Sequence, residues 1–225
     1  MTKFNTIAID LAKNVFQVCI FTPDRRVIKN RQVSRSQLLE MVVNQPKSIV
    51  AMEACYSSHY WARTFAAMGH EARLIPAQHV KPFVRGNKND KNDALAIAEA
   101  SLRPNIKFVP LKSIEQQDIQ SLHRIRDRLI ARKTGLINQT RGLLSEYGVI
   151  IPLGISAFRK HLPALASDNE QRLSQRIKQQ LLETMDEFFR LTDRCDEINK
   201  ELLQVAATNS LCKRLMTIPV IGVIN

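Results

Sequence analysis

The sequence predicts an α/β domain built on a mixed sheet, followed by a purely helical second half. Two observations carry this. Over roughly the first hundred residues, short β-branched runs alternate with amphipathic stretches, and from about Ser113 the pattern changes to helix alone. A third feature, acidic residues closing two of the apolar runs, directs attention to chemistry.

Residues 4–10 (FNTIAID) read as a strand, and residues 15–21 (VFQVCIF) as its hairpin partner across the polar turn LAKN. TPDRR at 22–26 is a second turn by its proline and polar content, and VIKNRQV at 27–33 makes a third antiparallel strand. Ser34 is a good N-cap for a short helix through Asn44. SIVAME at 48–53 is a buried strand by its continuous apolar character. A helix from about Ser57 to Met68 stops at Gly69, and EARLI at 71–75 is a strand that ends at Pro76. Three antiparallel strands followed by alternating helices and strands imply an α/β domain of ribonuclease-H-like shape.

In the second half, Leu122, Leu129, Leu136 and Leu143 recur every seven residues, with Ile130, Ile137 and Leu144 beside them. A second long helix from about Glu170 to Ala207 carries Leu181, Phe188, Cys195 and Leu202 at the same interval. The Pro- and Gly-containing segment 148–169 joins them, so an antiparallel, coiled-coil-like hairpin is expected. Its apolar stripes read as core packing rather than as a cofactor site. The domain reading is 1–110 for the α/β unit, 111–212 for the helical unit and 213–225 for the opening of a further domain.

The 225 residues are 44% hydrophobic and 24% charged, enough to bury a core, and no apolar run approaches the roughly 18 residues that span a bilayer. A cytoplasmic protein with no membrane partner is expected. Cys19, Cys55, Cys195 and Cys212 are scattered and form no metal-binding pair, so they read as free thiols. A net charge of +12 points to a polyanionic partner, because basic surfaces release counterions when they neutralise phosphates. Arg124, Arg126, Arg128, Arg132, Lys133 and Arg141 concentrate that charge on the first long helix, which reads as a phosphate-tracking face.

Asp10 closes the strand IAID and Glu53 closes VAME, at the carboxyl ends where α/β sheets place ligand-binding groups. A carboxylate there must be solvated, paired or bound to a cation. The segment RGNKNDKNDALAIAEA at 85–100 adds Asp90 and Asp93, three apart at a helix start and therefore on one side. Helix capping explains one of these aspartates more easily than both. Four hard oxygen donors without histidine or cysteine favour magnesium or manganese over zinc. Two such ions about 4 Å apart clamp the attacking and leaving oxygens of a phosphodiester displacement. Lys81, Arg85, Lys88 and Lys91 would draw a nucleic-acid backbone to the same mouth. Trp61 and Phe65, four apart on a helix, are expected to pack inward and leave His59 exposed at the first turn. No glycine-rich nucleotide loop occurs.

The blocks IDLAKNVF, MEACYSSHYW and KNDKNDALAIA resemble, in order, the signature blocks of the DEDD transposases of the insertion-sequence one-ten family. RGLLSEYGVIIP at 141–152 and LMTIP at 215–219 resemble its eleven-eleven branch. The resemblance implies a RuvC-like N-terminal domain, a coiled-coil domain and a C-terminal domain bearing a nucleophilic serine, of which this chain is read to hold only the opening. It implies that Asp10, Glu53, Asp90 and Asp93 take the DEDD roles at a magnesium site. It also implies recombination of element ends with target DNA, an element-encoded guide RNA and work as a homo-oligomer. Val220 stands where the family pattern has glycine, and strand exchange by this polypeptide alone is not expected. Two alternatives stay open: a stand-alone RuvC-like junction nuclease, and a non-catalytic DNA- or RNA-binding remnant.

Overall fold

In the computed structural model, which describes residues 4–84, 89–167 and 171–223, the chain divides into two units, Met1–Ser113 and Ile114–Asn225. The first holds five strands: β1 (Thr6–Asp10), β2 (Val15–Phe21), β3 (Val27–Ser34), β4 (Ile49–Glu53) and β5 (Glu71–Ile75). They form one sheet in the order β3-β2-β1-β4-β5, antiparallel from β1 through β3 and parallel from β1 through β5. This mixed order is that of a ribonuclease-H-like sheet, in agreement with the sequence. The outer edge of β5 is partly covered where the Val109 amide donates to the Leu74 carbonyl at 2.7 Å, which blunts an otherwise open edge.

Helices α1 (Arg35–Val43) and α2 (Ser58–Ala67) cover one face of the sheet, a one-turn helix α3 (Ala77–Val80) follows β5, and α4 (Asp90–Ser101) covers the other face. The two-residue period of the strands sorts their side chains between these layers. Ile7, Ile9, Phe16, Val18, Val50 and Met52 pack against α1 and α2, while Ala8, Cys19 and Ala51 pack against α4. Small residues on both sides of that second contact, Ala94, Ala96, Ala98 and Ala100 on the helix, let α4 approach the sheet closely.

The start of α1 shows how local chemistry fixes an element. The Ser34 hydroxyl accepts from the Gln37 amide and the Gln37 side chain accepts from the Ser34 amide, a complete capping box. Ser34→Ala is expected to cost about 1 kcal/mol, read as a lower urea midpoint at unchanged slope. An unchanged midpoint would mean that the cap is dispensable.

The second unit is built on α5 (Ile114–Ser145), α6 (Ile155–Leu165) and α7 (Gln175–Thr208), with a short α8 (Ser210–Leu215) after them. Arg126 of α5 donates to Asn199 of α7 at 2.7 Å, and Arg132 pairs with Glu187 at 3.0 Å. Rising numbers on one helix meet falling numbers on the other, so α5 and α7 run antiparallel. On α7 the seven-residue stripe is buried at every position, Leu181, Phe188, Cys195 and Leu202. On α5 it is not: Leu129 is buried but Leu143 is 58% exposed, and burial passes to Ile137 and Leu144. A straight helix of 3.6 residues per turn drifts relative to a strict heptad, and the buried seam follows the helix.

One further expectation is corrected, and one element is added. The second long helix begins at Gln175, where the Ser174 hydroxyl accepts from the Ile177 amide, and Glu170 lies outside the described residues. The connection between the long helices also contains a helix, α6, whose Phe158, Leu162 and Leu165 are buried against the same core.

Candidate metal centre

β1 and β4 are adjacent and parallel, in register from Thr6 opposite Ile49 to Ile9 opposite Met52. One step further, Asp10 and Glu53 end the two strands side by side, neighbouring strands being about 4.8 Å apart. By the strand period both side chains share the face of Ala8 and Ala51, the face that α4 covers. Asn89 caps α4 by accepting from the Asn92 amide at 2.9 Å, so Asp90 and Asp93 both fall in its first turn. Asp10, Asp90 and Asp93 thus converge, each offering a carboxylate oxygen within 4.8 Å of the others. Asp10 and Asp93 are half-buried and Asp90 is exposed. Glu53 lies beside this trio on the next strand and is not among the groups that converge within 4.8 Å.

The charge set at this end of the sheet also registers on Cys55. Burial first, then the nearby carboxylates of Glu53 and Asp10, push its thiol up to about 11. The converging groups are all carboxylates and so hard oxygen donors, and the buried Gln17 on β2 is the register partner of Asp10. These residues fit magnesium or manganese in donor chemistry. Immediately after Glu53 the chain turns through Ser57 in a left-handed conformation, φ 66°, a backbone strain of the kind that gathers near functional sites.

The residues expected to attract a phosphate backbone divide three ways. Lys81 and Lys91 are exposed, Lys91 in the first turn of α4, whereas Arg85 and Lys88 lie outside the described residues. On α5, Arg124 and Arg128 are exposed and Lys133 is half-buried. Arg126, Arg132 and Arg141 are engaged within the fold. Arg141 donates to the carbonyls of Pro152 at 2.6 Å and Gly154 at 2.9 Å, tying down the turn that precedes α6.

His59 is not the exposed group that the sequence suggests. It is half-buried, its Nδ1 accepts from the Lys112 amide at 3.3 Å, and burial followed by the positive charges of Lys112 and Arg63 lowers its pKa. Trp61 and Phe65 are fully buried, as expected. Three residues at the site were missed altogether: Gln17, Asn30 and Gln32. One signal was available, since Gln17 is a polar residue inside the apolar run VFQVCIF and is only 3% exposed.

A mixed sheet of ribonuclease-H-like order, with carboxylates gathered between two strand ends and a helix start, defines the class: an α/β protein with an acidic candidate centre. The chain belongs to the DEDD transposase family of the insertion sequence IS110 type, whose model, described as "Transposase", matches residues 7–149. It is 41% identical over 222 residues to the transposase for insertion sequence element IS1111A of Coxiella burnetii, covering 99% of this chain and 61% of that protein. It is 36% identical over 224 residues to the transposase for insertion sequence element IS1328 of Yersinia enterocolitica, covering 100% of this chain and 66% of that one. The chain therefore spans 61% to 66% of the length of these curated relatives. Among solved structures it is similar to Thermus thermophilus RuvC in complex with Holliday junction substrate, with a TM-score of 0.36 and 13% identity over 47% of this chain and 99% of that one. No helix among the described residues is long and apolar enough to cross a membrane.

Proposed function

We propose that this chain binds DNA and an element-encoded guide RNA, and that Asp10, Glu53, Asp90 and Asp93 hold magnesium, or manganese in its place, for the phosphodiester chemistry of transposition. The observation that carries the reading is the convergence of three aspartate carboxylates within 4.8 Å, in a chain of the DEDD transposase family. Like charges so close repel one another, and a divalent cation is the partner that turns the repulsion into binding. Bound there, the cation would polarise a phosphoryl oxygen and lower the pKa of a coordinated water.

The chain's own residues bind and orient. Asp10 and Glu53 stand on the ends of two adjacent strands, and Asp90 and Asp93 on one helical turn, so the donors are held by three elements packed together. Lys81 and Lys91 supply positive charge on the same unit, and Arg124, Arg128 and Lys133 supply it along α5, where phosphates are bound without regard to base sequence. Assembly with further copies of the chain completes the reading.

The test is binding and cleavage of branched DNA in magnesium or manganese, with and without the element's RNA, by the chain and by an Asp10→Asn/Glu53→Gln variant. The reading predicts salt-sensitive binding by both and cleavage by the parent chain only. Equal cleavage by the two would remove the acidic set from the chemistry. Binding without cleavage in either would make the chain a non-catalytic nucleic-acid-binding protein.

A further inference from the structure

We infer that Gln17, Asn30 and Gln32 form an amide strut that positions the first turn of α4, and thereby sets the spacing of Asp90 and Asp93 from Asp10; the inference rests on the metal-site reading above. All three side chains lie on the sheet face that α4 covers. Gln17 is the register partner of Asp10 on β1 and of Gln32 on β3, and Asn30 pairs with Cys19, whose side chain packs against α4. From that face Gln32 Nε2 donates to Asp90 Oδ2 at 3.1 Å, and Asn30 Nδ2 donates to the Lys91 carbonyl at 3.2 Å. Gln17 Nε2 donates in turn to Asn30 Oδ1 at 2.5 Å.

The hydrogen bonds fix the orientation of the amides. Because Asn30 spends its donor on the Lys91 carbonyl, its oxygen must accept, so Gln17 must present its nitrogen to Asn30. Gln17 is itself 3% exposed and so cannot swing away. The strut thus begins in the core of the sheet and ends on the first turn of α4.

Beyond the Asn89 cap, that turn has little apolar anchorage of its own. Its residues Asp90, Lys91, Asn92 and Asp93 are all polar, and the apolar anchorage of the helix begins only at Ala94. Against it act the like charges of Asp10, Asp90 and Asp93, which favour separation. A lysine or arginine at position 32 would neutralise Asp90 and compete with a cation, and an acidic residue would repel it. A neutral amide is the side chain that donates to a carboxylate, orients it and leaves its charge available for a metal. Gln17, Asn30 and Gln32 are thus positioning residues, acting on a cation only through Asp90 and the turn that bears it.

The experiment is a manganese titration of the full chain, followed by the loss of the free-ion electron paramagnetic resonance signal, with thermal unfolding recorded alongside. Gln32→Met keeps the length of the side chain and removes the donor on an exposed edge position, so the fold is retained. Its manganese affinity is expected to fall about tenfold, the usual scale for the groups that hold metal ligands in place, with the Tm unchanged. Gln32→His, which restores an N–H at similar reach, is expected to recover most of the loss. In an Asp90→Ala background, where Gln32 has no side-chain acceptor on the turn, Gln32→Met should then have no further effect. If the parent chain binds manganese and Gln32→Met binds it equally well, the strut is overturned while the metal site stands. A loss of equal size in the Asp90→Ala background would also overturn it. If the parent chain binds no manganese, the metal reading fails first and the strut falls with it.

Discussion

Asp10→Asn is expected to lower manganese affinity by a hundredfold or more and, in the absence of metal, to leave the protein at least as stable as before. The first part follows from removing a charged donor from the centre of the set, since Asp10 is the strand residue that both α4 carboxylates approach. The second follows from electrostatics. Carboxylates within 4.8 Å of one another repel by roughly 1 kcal/mol even at the dielectric of water, and asparagine relieves that repulsion while keeping the shape of the side chain. A group that weakens the fold and strengthens binding is the expected signature of a functional residue. Isothermal titration with manganese and thermal unfolding of the same samples check both parts. A marked fall in Tm would instead make Asp10 a structural residue whose lost affinity is secondary.

The largest effect on stability is expected on the opposite face of the sheet. Trp61 is fully buried, meets Phe16 edge-on at 5.3 Å between ring centroids, stacks on Phe65 at 5.5 Å and lies under the Arg35 guanidinium at 4.7 Å. Trp61→Ala should cost about 3–5 kcal/mol, because the cavity left between a sheet and two helices cannot collapse. Trp61→Phe should cost much less. The indole nitrogen is buried without a hydrogen-bond partner in the structure, so phenylalanine loses contact area but also removes a polar group that burial penalises. Hydrogen exchange at the β1 and β4 amides reads this unit separately from the helical one. Equal losses for the two variants would show that ring volume matters less here than the indole itself.

The strands were legible because their signal is local. Period-two alternation and β-branched content in 15–21, 27–33 and 71–75 are properties of a few neighbouring residues, and the serine cap of α1 sits within three residues of its partner. The two strand-end acids were legible for the same reason. The helix α6 was obscured by Pro163 in its interior and Gly154 at its start, which imitate the punctuation of a loop. The exposed Leu143 was misjudged because a heptad count ignores the drift of a straight helix. His59 was misjudged because the Lys112 amide that buries one side of it comes from a segment 53 residues away.

The amide strut lay furthest from view. Gln32 and Asp90 are 58 residues apart, and Asn30 and Lys91 are 61 apart. Side-chain amides carry no periodic signal, and their partners are set by strand register and by where a helix lands on a sheet. The carboxylates could be proposed from residue type and position, whereas the groups that hold them required coordinates.

Joint binding of a divalent cation by Asp10, Glu53, Asp90 and Asp93 would be visible in anomalous diffraction from crystals soaked in manganese. A strong peak is expected among the three aspartate carboxylates, with Glu53 close enough to share it or a second ion. Crystals whose manganese lies only elsewhere on the surface, or nowhere, while these four side chains remain ordered, would contradict it.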